Sequence, residues 1–525
     1  MVQPDPEEKN MSSRDCSRRD FIKSVGVGAA SVASAGWAVP GLFAAQKRKD
    51  RPNILFCLAD DWSWPHAGIA GDNVVKTPTF DRVARQGVLF THAFVTAPSC
   101  TPSRGSMLTG QWHWRLQQGG NLWSTLPARF DVYPDLLEKA GYHVGHTRKG
   151  WGPGRIEPGG RTRNPAGSRF KNFEEFLKAR PEGKPFCFWF GSTDPHRGYK
   201  WRSGIESGMK LDEVQVPACL PDCETVRTDI CDYYWEVQRF DREVGQIRQL
   251  LRENGELDNT LVVISGDNGM PFPRCKASLY DLGTNVPLAV CWPAQVQGGR
   301  VVDDFVSLAD LAPTFLEAAG LKATAEMTAK SFLDVLTSGK SGRVDPKRDR
   351  VFKGMERHTP CRGKDGVGYP MRAIQTHDFL YIHNFKLDRW PAGDPGGYAQ
   401  PAPIDVSRPR GTMYGYGDVD ASPTKSYMIK YRNDPHVARL SELAFAKRPA
   451  EELYDLRRDA GQLNNVAAQT EYAEVKNELS AALMAELTAT KDPRVLGKAD
   501  IFDTYPYYGS GGPQKAAKRP AKATR

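Results

Sequence analysis

The chain has 525 residues, 40% hydrophobic and 25% charged, with 71 Lys and Arg against 62 Asp and Glu for a formal net charge of +9. Plentiful Trp, Tyr and Phe exclude a disordered protein, and the lack of an apolar run of 18 residues in the body excludes a multi-span membrane protein. The basic excess sits in the flanks: Lys515, Lys518, Arg519, Lys522 and Arg525 at the end, and Lys47, Arg48, Lys49 and Arg51 near the start. The body is close to neutral, which argues against nucleic-acid binding.

At the front, Ser17-Arg18-Arg19-Asp20-Phe21-Ile22-Lys23 precedes a Val-, Ala- and Gly-rich stretch that reaches Ala45. The pattern resembles a twin-arginine export signal over residues 1–45, read by the twin-arginine export machinery. The stretch is too short and too interrupted for a stable membrane span. An exported chain, periplasmic or extracellular, is expected.

Next, Asn53–Asp60 is a continuous apolar run ending in acid, the pattern of a buried parallel strand. Phe186–Gly191, Leu261–Ser265 and Pro287–Trp292 read the same way. Helical patterns lie between them at Thr79–Gln86, Tyr133–Ala140, Asp229–Glu253 and Leu308–Ala319, several closed by Gly. The alternation predicts an α/β domain over residues 46–345, with a large, mainly parallel mixed sheet flanked by helices. Beyond it, Met371–Gln375 and Phe379–Asn384 look antiparallel, Pro391–Pro403 reads as a loop and Glu471–Leu487 as a helix. These predict a smaller C-terminal α+β subdomain over residues 346–505, followed by a basic disordered tail, 506–525.

Cys57, Cys187 and Cys291 fall in strand-like runs and read as buried free thiols. Cys219, Cys223 and Cys231 cluster before a helix. In an exported chain a disulfide among them is expected; a zinc site ranks below it because no histidine lies in the cluster.

The chemistry concentrates at three places: Asp60-Asp61 after one strand, Gly266-Asp267-Asn268-Gly269 after another, and Cys100-Thr101-Pro102-Ser103-Arg104 between them. In open α/β sheets, sites form outside the carboxyl ends of the strands. Asp60, Asp61, Asp267 and Asn268 should therefore converge as hard oxygen ligands, suited to Ca²⁺ or Mg²⁺.

Together with Arg51-Pro52-Asn53, Lys276…Tyr280, Val286-Pro287-Leu288 and Glu452-Leu453-Tyr454-Asp455-Leu456, these blocks resemble the formylglycine-dependent sulfatase family of the alkaline-phosphatase superfamily. The resemblance implies that a formylglycine-generating enzyme oxidises Cys100, the first residue of a Cys-x-Pro-x-Arg motif. The hydrated aldehyde has two hydroxyls on one carbon. One would attack sulfur; the other would let the sulfated hemiacetal collapse and release sulfate. It further implies Asp60, Asp61, Asp267, Asn268 and modified Cys100 as metal ligands. Arg104 would support the nucleophile, Lys149 and Lys276 would bind sulfate oxygens, and His196 would be a general acid or a sulfate donor.

The sequence departs from the family at one place. Many members read Gly-Lys-Trp-His-Leu-Gly, whereas this chain has Arg148-Lys149-Gly150-Trp151-Gly152-Pro153-Gly154. The lysine is kept and the histidine is absent; His146 and His113 are the nearby candidates to replace it. Asp194-Pro195-His196-Arg197, Asp267–Pro273 and Tyr369-Pro370-Met371-Arg372 resemble the N-sulfoglucosamine (heparan) sulfohydrolase branch. That implies a sulfated amino sugar or related glycan, with Arg163, Arg197, His358 and Arg372 as candidates to grip neighbouring anionic groups. Two other readings stay open: a phosphodiesterase or phosphonate monoester hydrolase of the same superfamily, and a non-catalytic sulfated-glycan binder.

Overall fold

The structure, a computed structural model, describes residues 51–396 and 415–510. The export signal, the second half of the Pro391–Pro403 loop and the tail from 511 onward lie outside the described residues.

The strands are β1 Asn53–Ala59, β2 Val88–Phe90, β3 Ala93–Phe94, β4 His143–Arg148, β5 Ser168–Arg169, β6 Phe186–Gly191, β7 Thr260–Gly266, β8 Leu288–Cys291, β9 Arg300–Val302, β10 Val306–Ser307, β11 Arg350–Met355, β12 Met371–Thr376, β13 Phe379–Asn384 and β14 Glu451–Asp455. Eight of them form one sheet in the order β5-β4-β6-β1-β7-β8-β2-β9. β3 and β10 make a separate two-stranded ladder.

β1 is central and wholly buried, and it is parallel to both neighbours. Its side chains alternate between two apolar layers, as a strand's period of two requires. Leu55, Cys57 and Ala59 enter one core; Ile54, Phe56 and Leu58 enter the other. This explains why the sequence shows an unbroken apolar run there instead of an alternating one.

Helices of seven or more residues cover both faces: α1 Pro78–Gln86, α2 Cys100–Thr109, α3 Tyr133–Lys139, α4 Phe173–Ala179, α5 Glu224–Glu253 and α6 Leu311–Ala318. Phe80 of α1, Phe176 of α4 and Phe240 of α5 pack into the first core. Leu108 of α2, Leu137 of α3 and Phe315 of α6 pack into the second. One sequence expectation fails. The Pro287–Trp292 run is not a parallel strand, because β8 is antiparallel to both β7 and β2. The chain returns from the end of β7 through the loop 267–287 without a helical crossover, so the next strand must run backwards.

Residues beyond 345 build a second sheet, the antiparallel β11-β12-β13-β14. Helix α9, Ala473–Ala489, lays Leu479, Leu483 and Leu487 into a core with Ile374 and Tyr381. The two helices before it, α7 Pro423–Lys430 and α8 Pro435–Phe445, instead place Met428, Ile429 and Phe445 in the first core of the large sheet. The chain from 415 to 445 thus packs against the large sheet.

All nine described cysteines are free, which corrects the disulfide expected among Cys219, Cys223 and Cys231. The three thiols find separate surroundings. Cys219 meets Cys275 of the 267–287 loop, Cys223 meets Tyr427, and Cys231 is buried in the first core. Among the described residues, no metal-ligating cluster forms around these three cysteines.

Candidate active site

The parallel strands β4, β6, β1 and β7 end along one rim, and each is followed by a chemically distinctive residue. Asp60 and Asp61 follow β1, Asp267 and Asn268 follow β7, Lys149 follows β4, and Asp194 and His196 follow β6. Backbone bonds extend the ladders past the strand ends, from Asp267 N to Ala59 O at 3.0 Å and from Lys149 N to Gly191 O at 3.0 Å. Gly191 has to be glycine, since a Cβ there would run into the Lys149 carbonyl.

α2 begins at Cys100 and carries the motif inward: all ten of its residues are buried. Cys100 Sγ lies 3.5 Å from Asp60 Oδ1 and 4.0 Å from Asp61 Oδ1. One ligand atom each from Asp60, Asp61, Cys100 and Asp267 lie within 4.8 Å of one another. Asn268 gives its Nδ2 to Asp61 Oδ1 at 2.6 Å, leaving its buried Oδ1 without a hydrogen-bond partner. Buried carboxylates and a free amide oxygen are the donors a hard divalent cation takes, so the residues present fit one.

Three basic groups counter the three carboxylates. Arg104, fully buried, donates Nε to Asp267 Oδ2 at 2.7 Å and NH1 to the carbonyls of Lys149 and Gly150 at 2.8 and 2.9 Å. Its NH2 is 3.5 Å from Asp60 Oδ1. Lys149 Nζ sits 2.6 Å from both Asp60 oxygens, and Lys276 Nζ is 2.7 Å from Asp61 Oδ2. Burial would raise the Asp60 carboxyl, but Lys149, His196, Arg104 and Lys276 hold it far below the usual range. Asp267, where burial outweighs the pull of Arg104, is pushed up to about 6. Burial, reinforced by Asp60 and Asp267 against Lys149, raises the Cys100 thiol well above its ordinary value. An unmodified Cys100 would therefore be a poor thiolate nucleophile.

The cluster floors a cavity of about 1090 Å³ lined by Cys100, Lys149, His196 and Lys276, with Trp123, Trp151, Arg148 and Arg169 among the wall residues. His196 Nδ1 donates to the Arg197 carbonyl at 2.8 Å, and Nε2 lies 3.9 Å from Asp61 Oδ2. His358 lines the same cavity with Nδ1 2.8 Å from Ser99 Oγ.

Not every arginine proposed to grip substrate is free to do so. Arg163 lines the cavity but pairs with Asp135 and Glu138 of α3. Arg197 also lines it, yet its guanidinium is spent on Asp229 at 2.6 and 3.0 Å and on the Pro271 carbonyl. Arg372 is not a cavity residue. It is fully buried between Glu356 and Asp492, each at 2.6 Å, where Arg494 also binds Glu356. Breaking a buried charge network by removing one partner costs about 3–5 kcal/mol. Arg372→Met should therefore lower unfolding stability by about that amount in denaturant titration while leaving KM unchanged.

The absent histidine is not replaced from His113. That ring is fully buried outside the cavity beside Gly354, and burial holds its pKa well below the ordinary value. His146 does line the cavity, with Nδ1 3.1 Å from the Gly167 carbonyl, and burial pushes it down to about 4. The residue two places after Lys149 is Trp151, clamped through its backbone by Asn164 at 3.0 and 2.9 Å. Several cavity residues, among them Trp123, Arg169 and Asp420, carry no signal in the sequence; Asp420 Oδ2 lies 3.1 Å from Lys276 Nζ. Nothing local marks it, because its setting arises only when the chain before α7 folds back over the rim.

A model of the sulfatase family matches residues 52–154 and 167–321, and a model of the N-sulphoglucosamine sulphohydrolase C-terminal region matches residues 275–390. The chain belongs to the sulfatase family and is a sulfuric ester hydrolase. Human N-sulphoglucosamine sulphohydrolase is 28% identical over 524 residues, covering 89% of this chain and 95% of its own length. An ulvan-active sulfatase of Formosa agariphila is 25% identical over 503 residues, covering 87% and 78%. A solved structure of a protein in complex with its substrate D-glucosamine-2-N,6-O-disulfate matches with a TM-score of 0.58 at 18% identity, over 84% of this chain and 99% of that one. A phosphonate monoester hydrolase of Silicibacter pomeroyi matches with a TM-score of 0.61 at 16% identity, over 85% and 96%. These two share the fold.

Proposed function

We propose that this sulfatase is exported and releases inorganic sulfate from a sulfated amino sugar or related glycan, using Cys100 oxidised to formylglycine and a bound Ca²⁺ or Mg²⁺. The observation that carries the reading is the buried cluster of Asp60, Asp61 and Asp267 facing Arg104, Lys149 and Lys276 around Cys100. Within this cluster three acids and three bases cancel, and with Asp420 on Lys276 the floor carries one net negative charge, so a divalent cation would leave it net positive, a receptor for an anion. Asp60, Asp61, Asp267 and the Asn268 amide oxygen would hold that cation. The formylglycine supplies a hydroxyl nucleophile with a second hydroxyl on its carbon, and the cation supplies Lewis-acid neutralisation of sulfate charge.

The chain's own residues divide the remaining work. Arg104 braces Asp267 and the carbonyls of Lys149 and Gly150, which keeps the rim loops in register beside position 100. Lys149 and Lys276 present ammonium groups to sulfate oxygens. A carbonyl can only accept, so the Arg197 carbonyl keeps one proton of His196 on Nδ1. The second proton of an imidazolium then sits on Nε2, where it can pass to the departing oxygen or nitrogen.

The relative whose substrate class fits best is the human N-sulphoglucosamine sulphohydrolase, which aligns over almost the whole chain. A phosphonate monoester hydrolase shares the fold, so substrate preference is tested directly. Protein whose Cys100 conversion has been verified by mass should turn over sulfated glycans and aryl sulfates with kcat/KM at least about 100-fold above matched phosphonate and phosphodiester substrates; the reverse order would overturn the assignment. Unmodified Cys100 after expression with the maturation enzyme would instead favour a sulfated-glycan binder. Export through the twin-arginine route is checked by replacing Arg18 and Arg19 with Lys, which should retain the protein in the cytoplasm; unchanged secretion would refute that route.

A further inference from the structure

Lys276 is held by two acids, of which only one belongs to the carboxylate cluster. Its buried Nζ lies 2.7 Å from Asp61 Oδ2 and 3.1 Å from Asp420 Oδ2. Asp420 is rigidly delivered. Two residues before it, the buried Asp418 pairs with Arg362 and accepts from Thr359 N and Oγ1 at 2.8 and 2.6 Å. Two residues after it, Ser422 caps α7 by accepting from Lys425 N at 3.0 Å. Lys425 Nζ in turn donates to the carbonyls of Tyr416 and Val419 at 2.9 and 2.7 Å. A short segment anchored on both sides holds its middle side chain in place.

An ammonium on Asp61 Oδ2 and a divalent cation at the cluster compete for the same carboxylate. If Asp61 gives its Oδ2 to the cation, Lys276 must give up that contact, and a buried ammonium that loses its acid is strongly disfavoured. Asp420 removes the conflict, because its carboxylate already touches the same nitrogen from the cavity side. We propose that Asp420 is the positioning residue of Lys276: the counter-ion that takes the ammonium when Asp61 turns to the cation, and holds it over the cavity floor where it meets the sulfate. The inference rests on the cation reading of the site.

The test is a double-mutant cycle read by calorimetric titration of Ca²⁺ into the mature protein. Asp420→Asn leaves Asp61 as the acid for Lys276, so the dissociation constant should rise roughly tenfold or more, the scale of one charged hydrogen bond. In a Lys276→Met background there is no competitor, and adding Asp420→Asn should change the affinity less than about twofold. Thermal unfolding of each variant verifies the fold. Unchanged affinity in Asp420→Asn would overturn the proposal, as would an equal loss with and without Lys276, the mark of a merely structural role. Failure of the unaltered protein to bind Ca²⁺ or Mg²⁺ would sink the cation reading itself, a result told apart from either variant pattern.

Discussion

Cys100→Ala should abolish sulfate release, lowering kcat/KM by at least about 10⁴-fold, while the protein stays folded. Position 100 is the first residue of a wholly buried helix, 3% exposed, so the substitution removes one small side chain without exposing backbone. Alanine favours the helix, and the thiol makes only long contacts, at 3.5 and 4.0 Å, to Asp60 and Asp61. Stability should therefore change by about 1 kcal/mol or less. The rate loss is larger because losing the nucleophile removes the covalent route entirely, as large non-additive losses at other nucleophiles illustrate. Cys100→Ser sharpens the test. A serine hydroxyl can attack once but has no second hydroxyl on its carbon, so intact-mass measurement after incubation with substrate should find the protein carrying one sulfo group. Sustained turnover by either variant would show that Cys100 is not the nucleophile's source.

Much of this architecture is readable from the sequence because the central strands are buried on both faces. β1, β6 and β7 show as unbroken apolar runs, each ending in the residues that build the site. β4 gives no such signal. His143-Val144-Gly145-His146-Thr147-Arg148 mixes polar with apolar residues, because its outer neighbour is only the two-residue β5. Strand direction is not readable either: Leu288–Cys291 has the composition of the parallel strands β1, β6 and β7 and runs the other way. The arginines mislead for a related reason. A guanidinium's role depends on which acid reaches it, and Asp229 for Arg197, like Glu356 and Asp492 for Arg372, is brought there only by folding. Asp60-Asp61 and Asp267-Asn268 are conspicuous because they directly follow strands, and Cys100–Arg104 because it is a compact local motif; Asp420 is not, because it arrives on the loop before α7 from the far end of the chain.

The largest loss outside position 100 is expected at Asp267. Its backbone N–H is bound to the Ala59 carbonyl and its own carbonyl accepts from Ser103, so the residue stays in place whatever its side chain carries. The carboxylate is what acts: Oδ1 accepts from Asp61 N at 2.9 Å and Oδ2 from Arg104 Nε at 2.7 Å. Asp267→Asn keeps the shape and removes one negative charge, so Asp60, Asp61 and Asp420 are left only to balance Arg104, Lys149 and Lys276. A divalent cation would then enter a site with no net negative charge to attract it. Altering partners that merely orient a ligand typically costs 10–100-fold in metal affinity, and removing a charged ligand should exceed that. Ca²⁺ affinity should thus fall by at least about 100-fold in calorimetric titration, and sulfate release by about 10³-fold or more, since the residue that braces Arg104 is altered as well. Because Asn can still present its carbonyl oxygen to Arg104 Nε, the fold should survive, which thermal unfolding would show. An Asp267→Asn protein that binds Ca²⁺ as tightly as the unaltered one and releases sulfate at its rate would remove Asp267 from the ligand set, and with it the charge balance on which the proposed chemistry depends.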